Sequence, residues 1–237
     1  MTTLSQEAPA TYYLGGPGRK SLQAHFLTRE EHDEYTAALE MFTGKARNSL
    51  DVKRNNSNIW QILLLNQIGI TTATLPELEL ARDSRMPLEE GQSIGREIIL
   101  VNTKGSIDAN WQLAQSLAEK LKIRDWSNPY IVKGLKIVQN DSFYEGLDFD
   151  TRNAEVIKAP NFHYSYNPIK FRTINHDYTI IKPDNTTKRT VYLPENGIAT
   201  FTLTRYADIN VGSQELTAPY LGRAVVITPL EERAESD

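Results

Sequence analysis

The chain has 237 residues and a mass of 26.9 kDa, 40% hydrophobic and 24% charged, a balance that excludes a wholly disordered or purely fibrous protein. Its net charge of −4 is spread evenly along the sequence, which argues against the concentrated Lys and Arg of a nucleic-acid binder. With no cysteine, disulfides, thiolate metal sites and a cysteine nucleophile are all excluded.

Residues 1–21 combine Pro9 and Pro17 with Gly15, Gly16 and Gly18, a composition that predicts a flexible N-terminal arm. Tyr12 and Tyr13 interrupt it and are its candidate interface residues, because aromatic anchors are common in protein contacts. The N-terminus lacks a basic start followed by an apolar stretch, so no secretory signal is expected. The longest aliphatic run, Ile62–Leu65, falls far short of the roughly 20 residues that span a bilayer, so no membrane partner is expected either.

Residues 22–126 read as mainly helical. Thr28 and Glu31 have the spacing of a capping box, followed by Tyr35, Ala38, Leu39, Phe42 and Ala46 on one helical face. Asn58 is placed to cap a second helix through Ile59, Trp60, Ile62, Leu63, Leu65 and Ile68, with Gly69 as its stop signal. Thr74-Leu75-Pro76-Glu77 is another capping box with proline in the first turn. Arg96–Val101 reads as a strand. Ser106 then opens a helix whose Trp111, Ala114, Leu117, Ala118 and Leu121 form one stripe.

At Pro129 the periodicity changes from helical to alternating, so residues 127–228 are expected to be β-rich. Tyr130–Val138 reads as one strand covered on both faces, and a segment around Ile169–Thr173 as another. Residues 177–182 and 190–193 are expected to form a hairpin about Pro183-Asp184-Asn185. Pro194–Gly197 turns into a strand at Ile198–Tyr206, completing a meander. In that last strand Ala199, Phe201 and Leu203 alternate with Thr200, Thr202 and Thr204, so the threonines are the candidate contact face. A strand at Tyr220–Thr228 precedes residues 229–237, an acidic tail. The expected fold is α+β, with a helical N-terminal half packed on a mainly antiparallel, β-rich C-terminal half.

No motif specifies a reaction. Gly15–Ser21 lacks the spacing and the preceding strand of a phosphate-binding loop. Asp148 and Asp150, two residues apart, are the candidate ligands for a divalent metal, although aspartates at this spacing more often bond nearby amides in turns. His163, His176 and Asp177 form a second metal-ligand candidate, weakened because adjacent strand residues point to opposite faces. Phe162, Tyr164 and Tyr166 suit core packing, or else a sugar or partner platform. Lys45, Arg47, Lys53 and Arg54 read as a solvated loop rather than a phosphate contact.

Assembly proteins need only strand edges, faces and orderable termini. The expected function is therefore a non-enzymatic structural or interaction protein, without cofactor, that joins further protein subunits as a homo-oligomer or larger assembly. A virus or phage particle is one such assembly, and the expected location is cytoplasmic or within a virion. A metal-dependent enzyme using the Asp/His groups is the alternative, and a carbohydrate- or ligand-binding β module is the third reading.

Overall fold

The computed structural model describes residues 10–14, 22–43, 58–88, 92–101, 109–125, 127–139, 147–162, 169–185, 189–192, 197–203, 208–212 and 222–230. In chain order their elements are β1 (Tyr12–Leu14), β2 (Leu22–Phe26), α1 (Arg29–Thr43), α2 (Asn58–Gln67), α3 (Leu75–Asp83), β3 (Gln92–Val101), α4 (Ala109–Lys120), β4 (Tyr130–Lys133), β5 (Lys136–Gln139), β6 (Leu147–Asp150) and β7 (Glu155–Lys158). A 3-10 turn (Pro160–Phe162) follows, then β8 (Ile169–Phe171), β9 (Thr173–Ile174), β10 (Ile180–Ile181), β11 (Arg189–Tyr192), β12 (Gly197–Leu203), β13 (Ile209–Gly212) and β14 (Gly222–Pro229).

The helices begin and end where their local chemistry directs. At the start of α1 the Glu31 amide donates to Thr28 Oγ1 (3.2 Å) and the Thr28 amide to Glu31 Oε2 (2.8 Å), satisfying two otherwise orphaned donors. The same reciprocal box closes at Thr74 and Glu77, with Pro76 in the first turn of α3. After α2 the chain turns at Gly69, whose φ of +97° is left-handed and is readily adopted only without a Cβ.

Sheet outweighs helix, and the helices are interspersed with strands, which corrects the expected division into a helical half and a β-rich half. The physical reason is long-range pairing that local periodicity does not report. β2, near the start of the chain, pairs with β14, near its end. β3, within the region expected to be mainly helical, holds the middle of the main sheet, whose order is β1-β2-β14-β3-β12-β13-β11-β8, with β4 joined to β3 and β7 to β4.

The expected meander is also re-paired. β11 and β12 follow one another in sequence, yet β13 lies between them, parallel to β11 and antiparallel to β12. β10 folds back on β9, while β11 pairs with β8, so among the described residues no hairpin joins β10 to β11. The single strand expected at Tyr130–Val138 breaks at Gly134, where φ is +70° and a Cβ would collide with the Asn153 carbonyl oxygen. β4 stays in the main sheet and β5 leaves to pair with β6.

The main sheet forks. β12 runs along one edge of β3. The other edge pairs first with β14, in parallel at Gln92–Ile94, and then with β4, antiparallel at Ile98–Leu100. Where β14 and β4 diverge, the segment leading into α3 fills the gap. Thr72 bridges Val226, the Ala73 amide donates to the Val225 carbonyl (2.7 Å), and the Arg96 amide donates to the Ala73 carbonyl (2.8 Å). The fork therefore buries its backbone polar groups in pairs and fixes the N-terminus of α3 against the sheet.

Two hydrophobic clusters lie on opposite faces, and β3 supplies both by its alternation. Ile94, Ile98 and Leu100 join Tyr35, Leu39, Trp60, Ile62, Ala114 and Leu117 under α1, α2 and α4. Ile99 and Val101 join Leu75, Leu78, Phe162, Phe171, Phe201 and Leu203 on the other face, with α3. β12 alternates likewise: Ile198 belongs to the first cluster, and Ala199, Phe201 and Leu203 to the second.

Candidate functional site

The fork gathers a group of buried ionisable side chains. Glu97 lies on β3, two residues after Gly95, where a Cβ would stand 3.0 Å from Glu97 Oε2 and 3.3 Å from Phe201 Cβ. The missing side chain at Gly95 thus leaves space for the carboxylate. Both Glu97 oxygens accept from the Leu75 amide at 3.0 Å, and Leu75 opens α3. With Thr74 serving Glu77 and Pro76 carrying no N–H, Glu97 completes the set of acceptors for the helix's first turn.

Tyr178 reaches the same carboxylate from the ribbon of β9 and β10, its hydroxyl donating to Glu97 Oε1 at 2.6 Å. It does so from a left-handed backbone, φ +63°, a conformation costly for a bulky residue unless surrounding contacts hold it. Those contacts are present. The Tyr178 amide donates to the Asn175 carbonyl (2.9 Å) and the Asn175 amide to the Thr179 carbonyl (3.0 Å), while Asp177 accepts from the Thr179 amide (3.0 Å) and hydroxyl. Lys133 of β4 places its amine 5.0 Å from the centre of the Tyr178 ring.

Burial sets the proton affinities. Glu97 is fully buried, and desolvation pushes its carboxyl above the usual carboxylate range, while the Tyr178 hydroxyl and Leu75 amide pull the other way. Burial, then the Glu97 charge, raises the Tyr178 hydroxyl far above its ordinary range.

A second buried pair ties α3 to the far strands. Arg189 of β11 forks onto Glu79 of α3, Nη1 to Oε2 at 2.5 Å and Nη2 to Oε1 at 2.6 Å. Thr173 Oγ1 of β9 donates to Glu79 Oε2 (3.2 Å), and the Arg189 guanidinium stacks 4.5 Å from the Phe171 ring centre. Bidentate geometry, stacking and an added hydroxyl donor compensate part of the desolvation of both charges.

The sequence-predicted residues take other roles. Asp148 of β6 accepts from Lys120 Nζ at 2.5 Å and from the Phe149 amide at 2.7 Å. Arg152 donates to Asp150 through Nε (3.0 Å) and Nη2 (2.6 Å), and those bonds hold the Asp150 carboxyl at about 2. Both candidate metal ligands are thus engaged by protein cations, and between them Phe149 turns inward to stack on Trp60, centroids 5.4 Å apart. Among the described residues no cluster of three or more His, Asp or Glu side chains is arranged to hold a metal ion. His176 and Asp177 are exposed on the β9–β10 turn; His163, Tyr164 and Tyr166 lie outside the described residues, and Phe162 is fully buried.

The two tyrosines of the N-terminal segment separate. Tyr12 and Leu14 turn toward the second cluster, with Leu14 fully buried there, and Tyr13 turns away and is 64% exposed. The Tyr13 carbonyl accepts from Ser84 Oγ (3.1 Å). Thr200 is only 3% exposed: it pairs with Ile98 and shares the face of Ile198, on which α2 and α4 pack. At this position the threonine face meets a helical layer rather than water. The Thr202 backbone pairs with Asn210 and Ile94, and Thr204 lies outside the described residues.

Glu97, Tyr178, Glu79 and Arg189 were not singled out from the sequence. Glu97 carried one usable signal, a charged residue amid Ile94, Ile98, Ile99 and Leu100, because a carboxylate within a strand apolar on both faces requires a dedicated donor. Comparison of the chain with family models, curated proteins and solved structures finds no match in any of the three.

Proposed function

We propose that this protein is a non-enzymatic structural or interaction protein that joins copies of itself or further subunits in a larger assembly, such as a virus or phage particle. The observation that carries this reading is Tyr13. It stands on β1, a terminal strand of the main sheet, with most of its ring in solvent while the neighbouring Leu14 is anchored in the core. An aromatic mounted on a strand at the end of a sheet loses little conformational freedom when it is covered by a partner.

The engagement of Asp148 by Lys120 and of Asp150 by Arg152 weighs against the metal-dependent alternative, since a cation would have to displace both. The test is the mass of the intact chain by size-exclusion chromatography with light scattering, for the native sequence and for Tyr13→Ser. The native chain is expected to run above 26.9 kDa, and the variant to lose mass with an unchanged melting temperature. A native chain that stays monomeric at every concentration sinks the proposal.

A further inference from the structure

We propose, resting on the assembly reading above, that two copies of this chain join edge to edge through β7. The strands pair antiparallel about a two-fold axis beside Val156, so that the two main sheets run into one. Among the described strands the main sheet ends at β1, at β8 and, on its side branch, at β7. The first two edges are blunted. On β1 the Tyr13 carbonyl is taken by Ser84 Oγ (3.1 Å). On β8 the exposed Lys170 holds the middle of the strand, and two copies paired about it would set like charges face to face.

β7 differs on both counts. Its charges, Glu155 and Lys158, lie at opposite ends of the strand, and both are exposed. In an antiparallel pair of copies the acidic end of one therefore lies beside the basic end of the other. Between them Val156 is 36% exposed, an apolar side chain left in water on a strand whose described neighbour is β4 alone. Lys158 also reaches Asp125, 3.5 Å away between exposed groups, a contact along its own chain that leaves the strand's backbone open.

The ladder shows which backbone groups face outward. The Ala159 amide donates to the Pro129 carbonyl (2.9 Å), in step with Ile157 opposite Ile131. Alternation along an antiparallel ladder then turns the groups of Glu155 and Ile157 toward β4, and those of Val156 and Lys158 toward the open edge. The Ala154 amide closes a turn on the Thr151 carbonyl (3.0 Å), so Ala154 offers that edge its carbonyl alone.

These directions select a register. A ladder sets like-facing residues opposite one another, so a two-fold axis places one residue of β7 against its own copy. Glu155 or Lys158 at the axis opposes like charges. Ile157 at the axis leaves Val156 against the partner's Lys158. Val156 at the axis covers each exposed side chain with the other, bonds the Val156 amides and carbonyls reciprocally, and sends each Lys158 amide to the partner's Ala154 carbonyl.

The test joins a cross-link to a measurement of mass. The chain has no cysteine, so Val156→Cys adds a lone thiol at the axis, where Cα atoms of a hydrogen-bonded pair stand about 5.5 Å apart, within disulfide reach. Mild oxidation is expected to give a covalent dimer, and Lys170→Cys, on the guarded edge of β8, is expected to stay unlinked. Val156→Pro removes an outward N–H and no bond to β4, as edge strands tolerate. It is expected to keep a native melting transition while self-association by light scattering weakens at least about tenfold. Val156→Lys, which sets like charges across the axis, repeats the test if proline disturbs the strand. An oligomeric native chain that is indifferent to both substitutions, or that links through residue 156 no faster than through residue 170, overturns the β7 contact and leaves the assembly reading standing. A native chain that is monomeric at every concentration overturns both.

Discussion

The two faces of the sheet solve the same burial problem by different means. On one, α1, α2 and α4 lay apolar stripes over Ile94, Ile98, Leu100 and Ile198, and the closure is largely aliphatic. On the other, α3 is joined by the short strands β8 to β11, and charge is drawn inside: Glu97 with Tyr178, Glu79 with Arg189. A helix satisfies its own backbone and presents a continuous apolar stripe. Short strands and turns leave donors and acceptors pointing inward, so the face they close needs buried polar partners as well as rings. Specific pairing on the second face takes over work that amphipathic helices perform on the first.

Neighbouring residues of β12 test the comparison most severely. Phe201→Ala empties a fully buried site on the second face and is expected to cost about 3–5 kcal/mol in urea unfolding. Thr200→Lys drives a charge under α2 and α4 on the first and is expected to cost on the order of 3–5 kcal/mol, by the penalty of an unpaired buried charge. A lysine tolerated within about 0.5 kcal/mol, the ordinary range for a surface substitution, would falsify the covered face and restore a contact surface there.

The next largest effect sharpens the role of charge. Arg189→Ala leaves Glu79 buried without its bidentate partner and is expected to cost about 3 kcal/mol, the low end for a broken buried pair, because Arg82 remains 3.6 Å away. Replacing both members together, Arg189→Met with Glu79→Leu, should recover most of that loss. Failure to recover would show the pair to be needed for the closure itself rather than merely tolerated within it.

Helix caps follow. Thr74→Ala removes the acceptor for the Glu77 amide at the fork and is expected to cost about 1–2 kcal/mol, whereas Thr28→Ala, at the more exposed start of α1, should cost about 0.5–1 kcal/mol. Unfolding midpoints measure both, and equal costs would remove the distinction between a cap at the fork and a cap at the surface.

The smallest effect is a slope. Glu97, whose proton affinity folding raises, makes stability fall as pH climbs above the ordinary glutamate range. Asp150, held at about 2, contributes stability that is present at neutral pH and fades as pH drops toward that value. Thermal unfolding across pH should therefore show Glu97→Gln flattening the upper limb alone, and Asp150→Asn the acid limb alone.

Local chemistry was legible wherever neighbours in sequence are neighbours in space. Both capping boxes, the Gly69 stop and the buried stripes of α1 and α4 follow from spacing along a helix, and the Phe201 face of β12 follows from alternation. Pairing was not legible. The insertion of β13 between β12 and β11, the return of β14 to β2 and the fork at Gly95 depend on contacts remote in sequence, and a strand's periodicity names its faces without naming its neighbours. Thr200 shows the consequence. Polarity suggested water on that side, yet α4 covers it, since one hydroxyl is tolerable in a core and the exposed or buried status of a face is decided by what packs on it.

The site divides the same way. Asp148 and Asp150 stood out because carboxylates close in sequence are easy to see, but Lys120 and Arg152 claim them in the fold. Glu97 and Tyr178 lie 81 residues apart, and Glu79 and Arg189 lie 110 apart, too far for any local pattern to join. By itself the sequence determined where α1 and α3 start, where α2 stops and which residues of β12 face the second cluster, because those depend on bond geometry and side chains within a few residues. Tertiary structure alone decided which strands meet, which faces are covered and which charges are paired inside, because only closure of the chain upon itself creates the dry surroundings in which a buried carboxylate must find its donors.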